Sequence, residues 1–196
     1  MAAIGRMGAL GVAVALSLAA GEARANPDVW VETTIAVAFD DERVSGLMVS
    51  WAFDDFYSAH AIRTYDLDRD GTFDSLESMT LRSETFDPLS GADYHVHVWS
   101  GDEKRHDVEV DNFEARIEDA TLVYAFSVPL APPLDPRNGP VTVSLFDPEN
   151  FVDFNFPDSD FLLVSGAMGA GCKFRIARGE GAQSGHPRPV TLACEG

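Results

Sequence analysis

The sequence predicts a β-rich α+β fold, an antiparallel sheet or sandwich that carries one helix–loop–helix insertion. Three observations lead to this prediction. Apolar and polar residues alternate along several short segments, turn residues separate these segments, and one stretch changes to the spacing of short helices around a charged loop. The chain has 196 residues, of which 45% are hydrophobic, so one domain with a substantial core is expected.

The first 25 residues have the pattern of a cleaved signal peptide. Arg6 supplies positive charge, residues 7–21 are uncharged, and Ala23-Arg24-Ala25 has the small residues of a cleavage site. A membrane anchor is the alternative, but the apolar stretch is short for a span. We therefore expect export to the periplasm, with secretion as the alternative. The mature chain is then a single domain over residues 26–196, with no direct insertion into the membrane.

The mature chain begins with a predicted β-hairpin over residues 29–53. From Val29 to Phe39 every second residue is apolar or Thr, Asp40-Asp41-Glu42 is a polar turn, and alternation resumes from Leu47 to Phe53. At Asp54 the pattern changes to that of a short helix, which Asp54 or Asp55 would cap. A second short helix is expected to end before Pro88, so the insertion covers about residues 54–86.

The rest of the chain is predicted to be β-structure. Pro132-Pro133 to Pro140 is interpreted as a long loop. The expected strands are residues 94–99, 106–110, 121–128, 141–146, 151–156, 161–164, 172–177 and 190–194.

The two cysteines, Cys172 and Cys194, are predicted to form a disulfide. Two cysteines in an exported chain favour one bond, and a hairpin of their strands would place both thiols on its apolar side. A thiolate metal site is the alternative, although the spacing matches no zinc pattern.

Residues 66–77 match the calcium-binding loop of an EF-hand at every ligand position. Gly71 at the sixth position permits the sharp turn. Thr72 would offer its backbone carbonyl, Asp74 would act through water, and Glu77 would bind with both oxygens. The full predicted ligand set is Asp66, Asp68, Asp70, Thr72, Asp74 and Glu77.

Five carboxylates within twelve residues repel one another unless a cation is present. Hard oxygen ligands in a flexible loop favour Ca²⁺ over Mg²⁺ and over soft metals. The alternative is an EF-hand-like loop that stays empty. EF-hands usually pair, and the sequence contains no second loop, so we expect a structural ion that stabilises the fold.

Three histidines suggest a second, transition-metal site. His95 and His97 lie two apart in a predicted strand, and a turn of even length would bring His106 to the same face. Three imidazoles on one sheet face suit Zn²⁺ or Ni²⁺. The alternative is a solvated polar face, because residues 94, 96 and 98 already supply an apolar side. His60 is expected to be structural, and His186 to be exposed.

The charge of the chain excludes some functions. With 32 acidic and 14 basic residues, the formal net charge is −18, which disfavours nucleic-acid binding.

The motifs G-x-S-x-G and H-E-x-x-H are absent, and the glycines at 166, 169 and 171 precede a predicted strand where a dinucleotide site needs a helix. We expect no enzymatic activity.

Several segments together resemble an exported bacterial family of unknown function that is often labelled the periplasmic component of an ABC-type transport system. They are Val29-Trp30-Val31, Trp51-Ala52-Phe53-Asp54-Asp55-Phe56-Tyr57-Ser58, the loop Asp66 to Glu77, and Phe146-Asp147-Pro148-Glu149-Asn150-Phe151. That family is associated with permeases of the nickel/cobalt type and with zinc uptake. Its members typically begin His-Pro-His-Val after cleavage, whereas this chain has Asn26-Pro27-Asp28-Val29.

The resemblance implies a periplasmic metal-binding or accessory protein of a zinc- or nickel-type transport system, with an inner-membrane metal permease as its partner. Ca²⁺ in the EF-hand-like loop would stabilise this protein. The alternative is a calcium-stabilised structural or protein-interaction module with no transport role.

Overall fold

A computed structural model describes residues 27–176 and 189–195. The predicted signal peptide, its cleavage site and His186 lie outside the described residues. Within the described part of the chain, no helix is both long enough and apolar enough to cross a membrane.

Eleven strands and two α-helices make up the regular structure of the described residues. The helices are α1 (Asp55–Tyr65) and α2 (Ser75–Leu81), followed by a π-helical turn (Arg82–Phe86) and a 3₁₀ segment (Asp87–His95). The strands are β1 (Val29–Asp40), β2 (Arg43–Phe53), β3 (Val96–Ser100), β4 (Glu103–Lys104), β5 (Asp111–Glu118), β6 (Thr121–Leu134), β7 (Val141–Leu145), β8 (Val152–Asn155), β9 (Leu162–Ser165), β10 (Cys172–Ile176) and β11 (Val190–Cys194).

The strands form two sheets that share one hydrophobic core. The first sheet has the order β5-β6-β2-β1-β8, with β9 also paired to β1, and the second has the order β10-β11-β7-β3-β4. Buried residues of both sheets belong to one continuous apolar cluster. The β-rich prediction is therefore confirmed. The first sheet is mixed, however, because β8 and β9 run parallel to β1.

The β1–β2 hairpin forms as its alternating pattern predicts. Its inward positions are buried, Trp51 at 1% exposure among them, and they pair in antiparallel register from Val31↔Phe53 to Asp40↔Arg43. Asp41 and Glu42 both have positive φ, as a type I′ turn requires. Gly46 of β2 pairs with Pro129 of β6, and a Cβ at this position would approach the Val128 carbonyl oxygen to 2.9 Å. The central strands therefore depend on glycine at this position.

The helix–loop–helix lies between β2 and β3 and is attached to the first sheet through Ser58. The Ser58 hydroxyl is fully buried, donates to the Phe53 carbonyl at 3.1 Å and accepts from the Leu122 N–H at 3.0 Å. Leu81 and Phe86, which follow the loop, have no exposed surface. Both ends of the insertion are thus anchored in the core.

The disulfide prediction is confirmed. β10 and β11 pair antiparallel with Cys172 opposite Cys194, and the two sulfurs are bonded. Disulfides are typical of proteins in oxidising compartments outside the cytoplasm, and this bond indicates such an environment.

One predicted strand is wrong, and another begins later than predicted. Residues 105–110 contain no strand, because Asp107 adopts a positive φ that interrupts an extended path, and the next strand begins at Asp111. The strand expected from Tyr94 begins only at Val96, because Tyr94 and His95 also have positive φ. Positive φ at a non-glycine residue does not change the alternation of apolar and polar residues, so the sequence pattern did not predict these interruptions.

The prediction of a loop beginning at Pro132 is also wrong. Pro132 and Pro133 belong to β6, which ends only at Leu134. The prolines lie in an irregular stretch of β6. The pairing of β6 with β2 passes from Gly46↔Pro129 directly to Val44↔Leu134, and the pairing of β6 with β5 extends no further than Ser127. Prolines are tolerated in strands at such bulges and edges, where no ladder hydrogen bond is lost.

Ser58→Ala is predicted to destabilise the protein by about 1–3 kcal/mol, because the Leu122 N–H would be left buried without its acceptor. Urea unfolding followed by circular dichroism measures this change. The matched control is Ser83→Ala at an exposed serine, for which a change within about 0.5 kcal/mol is expected. Equal midpoints for the two variants would contradict the anchoring role of Ser58.

Replacing both cysteines by alanine is predicted to lower the free energy of unfolding by about 2–4 kcal/mol, because the bond closes a loop between residues 22 apart. Denaturant titration of the oxidised protein and of the double variant provides the measurement. Reductant should destabilise the wild type and leave the double variant unchanged. A wild type that is insensitive to reductant while its thiols are free would refute this prediction.

Candidate metal centre

The acidic loop is held between two capped helices. Asp54 caps α1, accepting from the N–H groups of Phe56 and Tyr57, while its other oxygen accepts from the Trp30 N–H at 3.0 Å. Asp74 caps α2 in a reciprocal capping box with Glu77. The loop between the helices therefore has fixed ends, and Phe73 within it packs against the core.

Three carboxylates meet in this loop. Asp66, Asp68 and Asp70 each offer an oxygen, and these oxygens all lie within 4.8 Å of one another. It is the one such group of His, Cys, Asp or Glu ligand atoms found among the described residues. Asp66 is buried at 6% exposure, while the other two are exposed. The arrangement thus has an inner carboxylate and an open outer side.

Backbone N–H groups inside the loop orient these carboxylates. The two oxygens of Asp66 accept from the N–H groups of Asp70 and Gly71, each at 3.2 Å. Asp70 accepts from both the N–H and the hydroxyl of Thr72, at 2.8 and 2.7 Å. Positive φ at Arg69 and Gly71 turns the chain back on itself to permit these contacts. The loop is therefore curled around its own acidic side chains.

Glu77 is buried at 5% exposure, and backbone groups hold both of its oxygens. One oxygen accepts from the Leu67 N–H at 2.6 Å, and the other from the Asp74 N–H at 3.0 Å. Glu77 thereby joins the beginning of the loop to its end. It is not a member of the three-carboxylate group, so of the six predicted ligands the structure brings Asp66, Asp68 and Asp70 together.

The electrostatics of the loop differ between neighbouring carboxylates. The Asp70 N–H lowers the pKa of Asp68, but partial desolvation and the charges of Asp70, Glu77 and Asp66 outweigh it, so this pKa is raised. The hydroxyl and the N–H of Thr72 lower the pKa of Asp70. The loop thus raises the pKa of one candidate ligand and lowers that of its neighbour.

The histidines do not form a cluster. His106 is exposed in the segment that follows β4, whereas His95 and His97 are buried at 6% and 3% exposure. The His97 ring lies 4.0 Å from the Phe146 ring, centre to centre, and its Nε2 is 3.1 Å from the Phe146 carbonyl oxygen. Burial lowers the pKa of both His95 and His97. The alternative, a solvated polar face, is wrong as well, because His95 and His97 are buried and Phe146, which follows β7, covers His97.

Sequence reasoning missed a feature of His95 and Trp51. The Nδ1 atom of His95 and the Nε1 atom of Trp51 are buried and have no hydrogen-bond partner, and both side chains line one cavity. In the sequence, the aromatic side chain of Trp51 indicates a core position but does not indicate a cavity beside it.

Comparison with known proteins adds an evolutionary relationship. A protein of Spirochaeta aurantia, "Uncharacterized 15.5 kDa protein in trpE 3'region", is 31% identical to this chain over 98 residues, which are 50% of this chain and 69% of that protein. A family described as "Protein of unknown function (DUF1007)" matches residues 11–193. The chain belongs to this family of proteins of unknown function.

Proposed function

We propose that this protein is a calcium-stabilised structural or interaction module that acts outside the cytoplasm, with one Ca²⁺ bound in the loop of residues 66–77. The observation that carries this proposal is the group of three carboxylate oxygens within 4.8 Å of one another, in a loop with EF-hand spacing. Such oxygens suit a hard divalent cation.

The choice of Ca²⁺ rests on the ligand type and on the openness of the loop. The candidate ligands are all oxygens, which disfavours soft metals. Asp68 and Asp70 are exposed and can adjust their positions, whereas Mg²⁺ demands near-ideal octahedral geometry and retains several waters. In this proposal Glu77 exchanges at least one backbone hydrogen bond for the ion.

A structural role follows from how the loop joins the core. The helix before the loop is anchored through Ser58, and the residues after it lead to Leu81 and Phe86 in the core. An ion that relieves repulsion in the loop therefore stabilises the packing of the whole insertion against the first sheet. Buried Asp66 and Glu77 link the ion to this inner side.

The proposed location is the periplasm. The disulfide between Cys172 and Cys194 suits an oxidising compartment. Calcium loops of exported modules bind with dissociation constants of about 10⁻⁴–10⁻³ M, so this loop would be filled where calcium reaches millimolar concentrations.

Glu77→Gln is predicted to abolish calcium-dependent stabilisation, because the amide carries no charge; its single oxygen can keep the capping bond from the Asp74 N–H but not also the bond from the Leu67 N–H. In 10 mM calcium the wild type should gain about 1.4–2.7 kcal/mol over the metal-free protein. Thermal and urea unfolding with and without calcium measure this gain.

The matched control is Glu103→Gln, the same substitution at an exposed position in β4. It should keep the full calcium effect. A wild type that unfolds identically with and without calcium, or a Glu77→Gln variant that retains the wild-type gain, would contradict the proposal.

The second proposal is that the protein is an accessory protein of zinc- or nickel-type transport, with an inner-membrane permease as its partner. It rests on the resemblance of the segments around residues 29–31, 51–58 and 146–151, and the structure adds less to it than to the calcium proposal. His95, His97 and His106 do not converge, and the mature start has an amide and a carboxylate in place of imidazoles.

A zinc titration separates the two proposals. With calcium already bound, we predict no sub-micromolar binding of Zn²⁺ or Ni²⁺ to the mature chain, as measured by calorimetry. Sub-micromolar binding that His97→Ala abolishes would favour the transport role, and His60→Ala serves as the control because His60 is exposed on α1.

A further inference from the structure

The exposed aromatic side chains of the described residues all lie near the start of β1. They are Trp30, Phe56 and Phe151, with 48%, 84% and 49% of their surface exposed. A single exposed apolar residue is common on a protein surface, but a group of large ones marks an interaction site. The grouping of these three residues therefore indicates a surface that takes part in binding.

Hydrogen bonds hold the backbones of the three residues together. The Trp30 N–H donates to the Asp54 carboxylate at 3.0 Å, and the Asp54 N–H donates to the Trp30 carbonyl at 2.9 Å. The same carboxylate accepts from the Phe56 N–H at 2.9 Å. The Phe151 carbonyl accepts from the Val29 N–H at 3.2 Å. We call the region around Trp30, Phe56 and Phe151 the aromatic surface.

The rings of the aromatic surface lie outside the core. Val31, the next residue of β1, is 1% exposed, so Trp30 lies on the opposite, outer face of the sheet. Its partner on β8 is Asp153, which shares that outer face. On α1, Ser58 is buried against the sheet, and Phe56 lies on the opposite side of the helix. Packing of the core therefore does not require an aromatic ring at either position.

The aromatic surface is also acidic. The segments that form it, residues 28–32, 51–58 and 146–153, contain two, two and three acidic residues, respectively, and no Lys, Arg or His. The nearest Lys or Arg along α1 is Arg63, about two turns beyond Phe56. The surface thus combines apolar area with an excess of negative charge, and its complement is a cation attached to an apolar group.

We propose that the aromatic surface binds a cationic protein segment in which Arg or Lys side chains lie beside apolar ones. A guanidinium group can stack on the Trp30 indole and pair with the neighbouring carboxylates, while apolar side chains cover the two Phe rings. This gives the interaction role proposed above a partner of defined chemistry.

The aromatic surface is separate from the calcium loop. Phe56 lies near the start of α1 and Asp66 follows its end, so ten residues of helical rise place them about 15 Å apart. The calcium proposal is tested by unfolding, and the partner proposal by binding, so either can fail without the other.

Charge argues against two other occupants. A symmetric pair of chains would place the same surface against itself, so that acidic residues face acidic residues. Anionic lipid would be repelled in the same way. A cationic segment from another protein removes this repulsion, and we therefore commit to it.

The test uses a dye-labelled synthetic peptide in which Arg and Leu alternate. The calcium-saturated mature protein is titrated into the peptide at roughly 0.15 M salt, and fluorescence anisotropy measures binding. The matched peptide has Glu in place of every Arg. We expect saturable binding of the Arg–Leu peptide and none of the Glu–Leu peptide.

Trp30→Ser and Phe56→Ser should each weaken binding of the Arg–Leu peptide by about tenfold, because buried aromatic anchors supply much of the energy of an interface. Both side chains are exposed, so the variants should fold, as checked by circular dichroism. The matched control is Leu76→Ser, which removes a side chain that is 68% exposed on α2 beside the acidic loop. It should bind as the wild type does.

A second pair of variants tests the charge. Asp28→Asn combined with Asp55→Asn removes two exposed charges from the aromatic surface and should weaken binding. Asp102→Asn combined with Glu109→Gln removes two exposed charges elsewhere and serves as the control. The two double variants have the same net charge, so only the position of the charge differs.

Four results would overturn the proposal. The first is the absence of saturable binding of the Arg–Leu peptide, or equal binding of the Glu–Leu peptide. The second is wild-type affinity in both aromatic variants, or an equal loss in Leu76→Ser, which would place the peptide on the acidic loop. The third is equal weakening by the two charge pairs. The fourth is a wild-type dimer in sedimentation that Phe56→Ser dissociates, which would make a second copy the occupant.

Discussion

Mutual repulsion among the carboxylates of the 66–77 loop is the constraint on which this account depends. Three of their oxygens lie within 4.8 Å of one another, and the loop's own N–H groups donate to both oxygens of Asp66. Glu77 adds a further, buried negative charge beside them. The protein is stable with this arrangement only to the extent that the core supports it or a cation relieves it.

The core supplies that support through a few specific contacts. Trp51 is surrounded by the rings of Phe53, Phe86, Phe126 and Phe154, at centre-to-centre distances of 4.9–6.4 Å. Phe86 ends the helical insertion, so this aromatic cluster joins the insertion to the sheet. Ser58 makes the second connection. Calcium would therefore act on a segment that is already anchored at both ends, which favours a stabilising role over a conformational switch.

Much of the fold was predictable because its signals are local. The alternation of apolar and polar residues predicts the β1–β2 hairpin, and the change of pattern at Asp54 predicts the start of α1. The even number of cysteines, on the apolar faces of two predicted strands, predicts the disulfide between Cys172 and Cys194. The loop spacing also identified the acidic residues that meet in space. Pairing of β8 and β9 alongside β1 was not predictable, because parallel partners distant in sequence leave no local signal.

The histidine prediction shows where sequence reasoning lacks information. It required β-structure to continue from His95 through His106, but positive φ at His95 and Asp107 interrupts both ends. Burial of His97 against Phe146 depends on a segment 49 residues away. The cavity beside Trp51 is likewise a product of tertiary packing, since its walls come from several strands and the helical insertion.

The most direct test of the central claim is a calorimetric titration of Ca²⁺ into the metal-free mature protein. The account predicts one ion bound per chain, with a dissociation constant of about 10⁻⁴–10⁻³ M, and loss of binding in Asp66→Asn. A protein that takes up no calcium at millimolar concentrations, or that binds it equally well without the Asp66 carboxylate, would contradict the account.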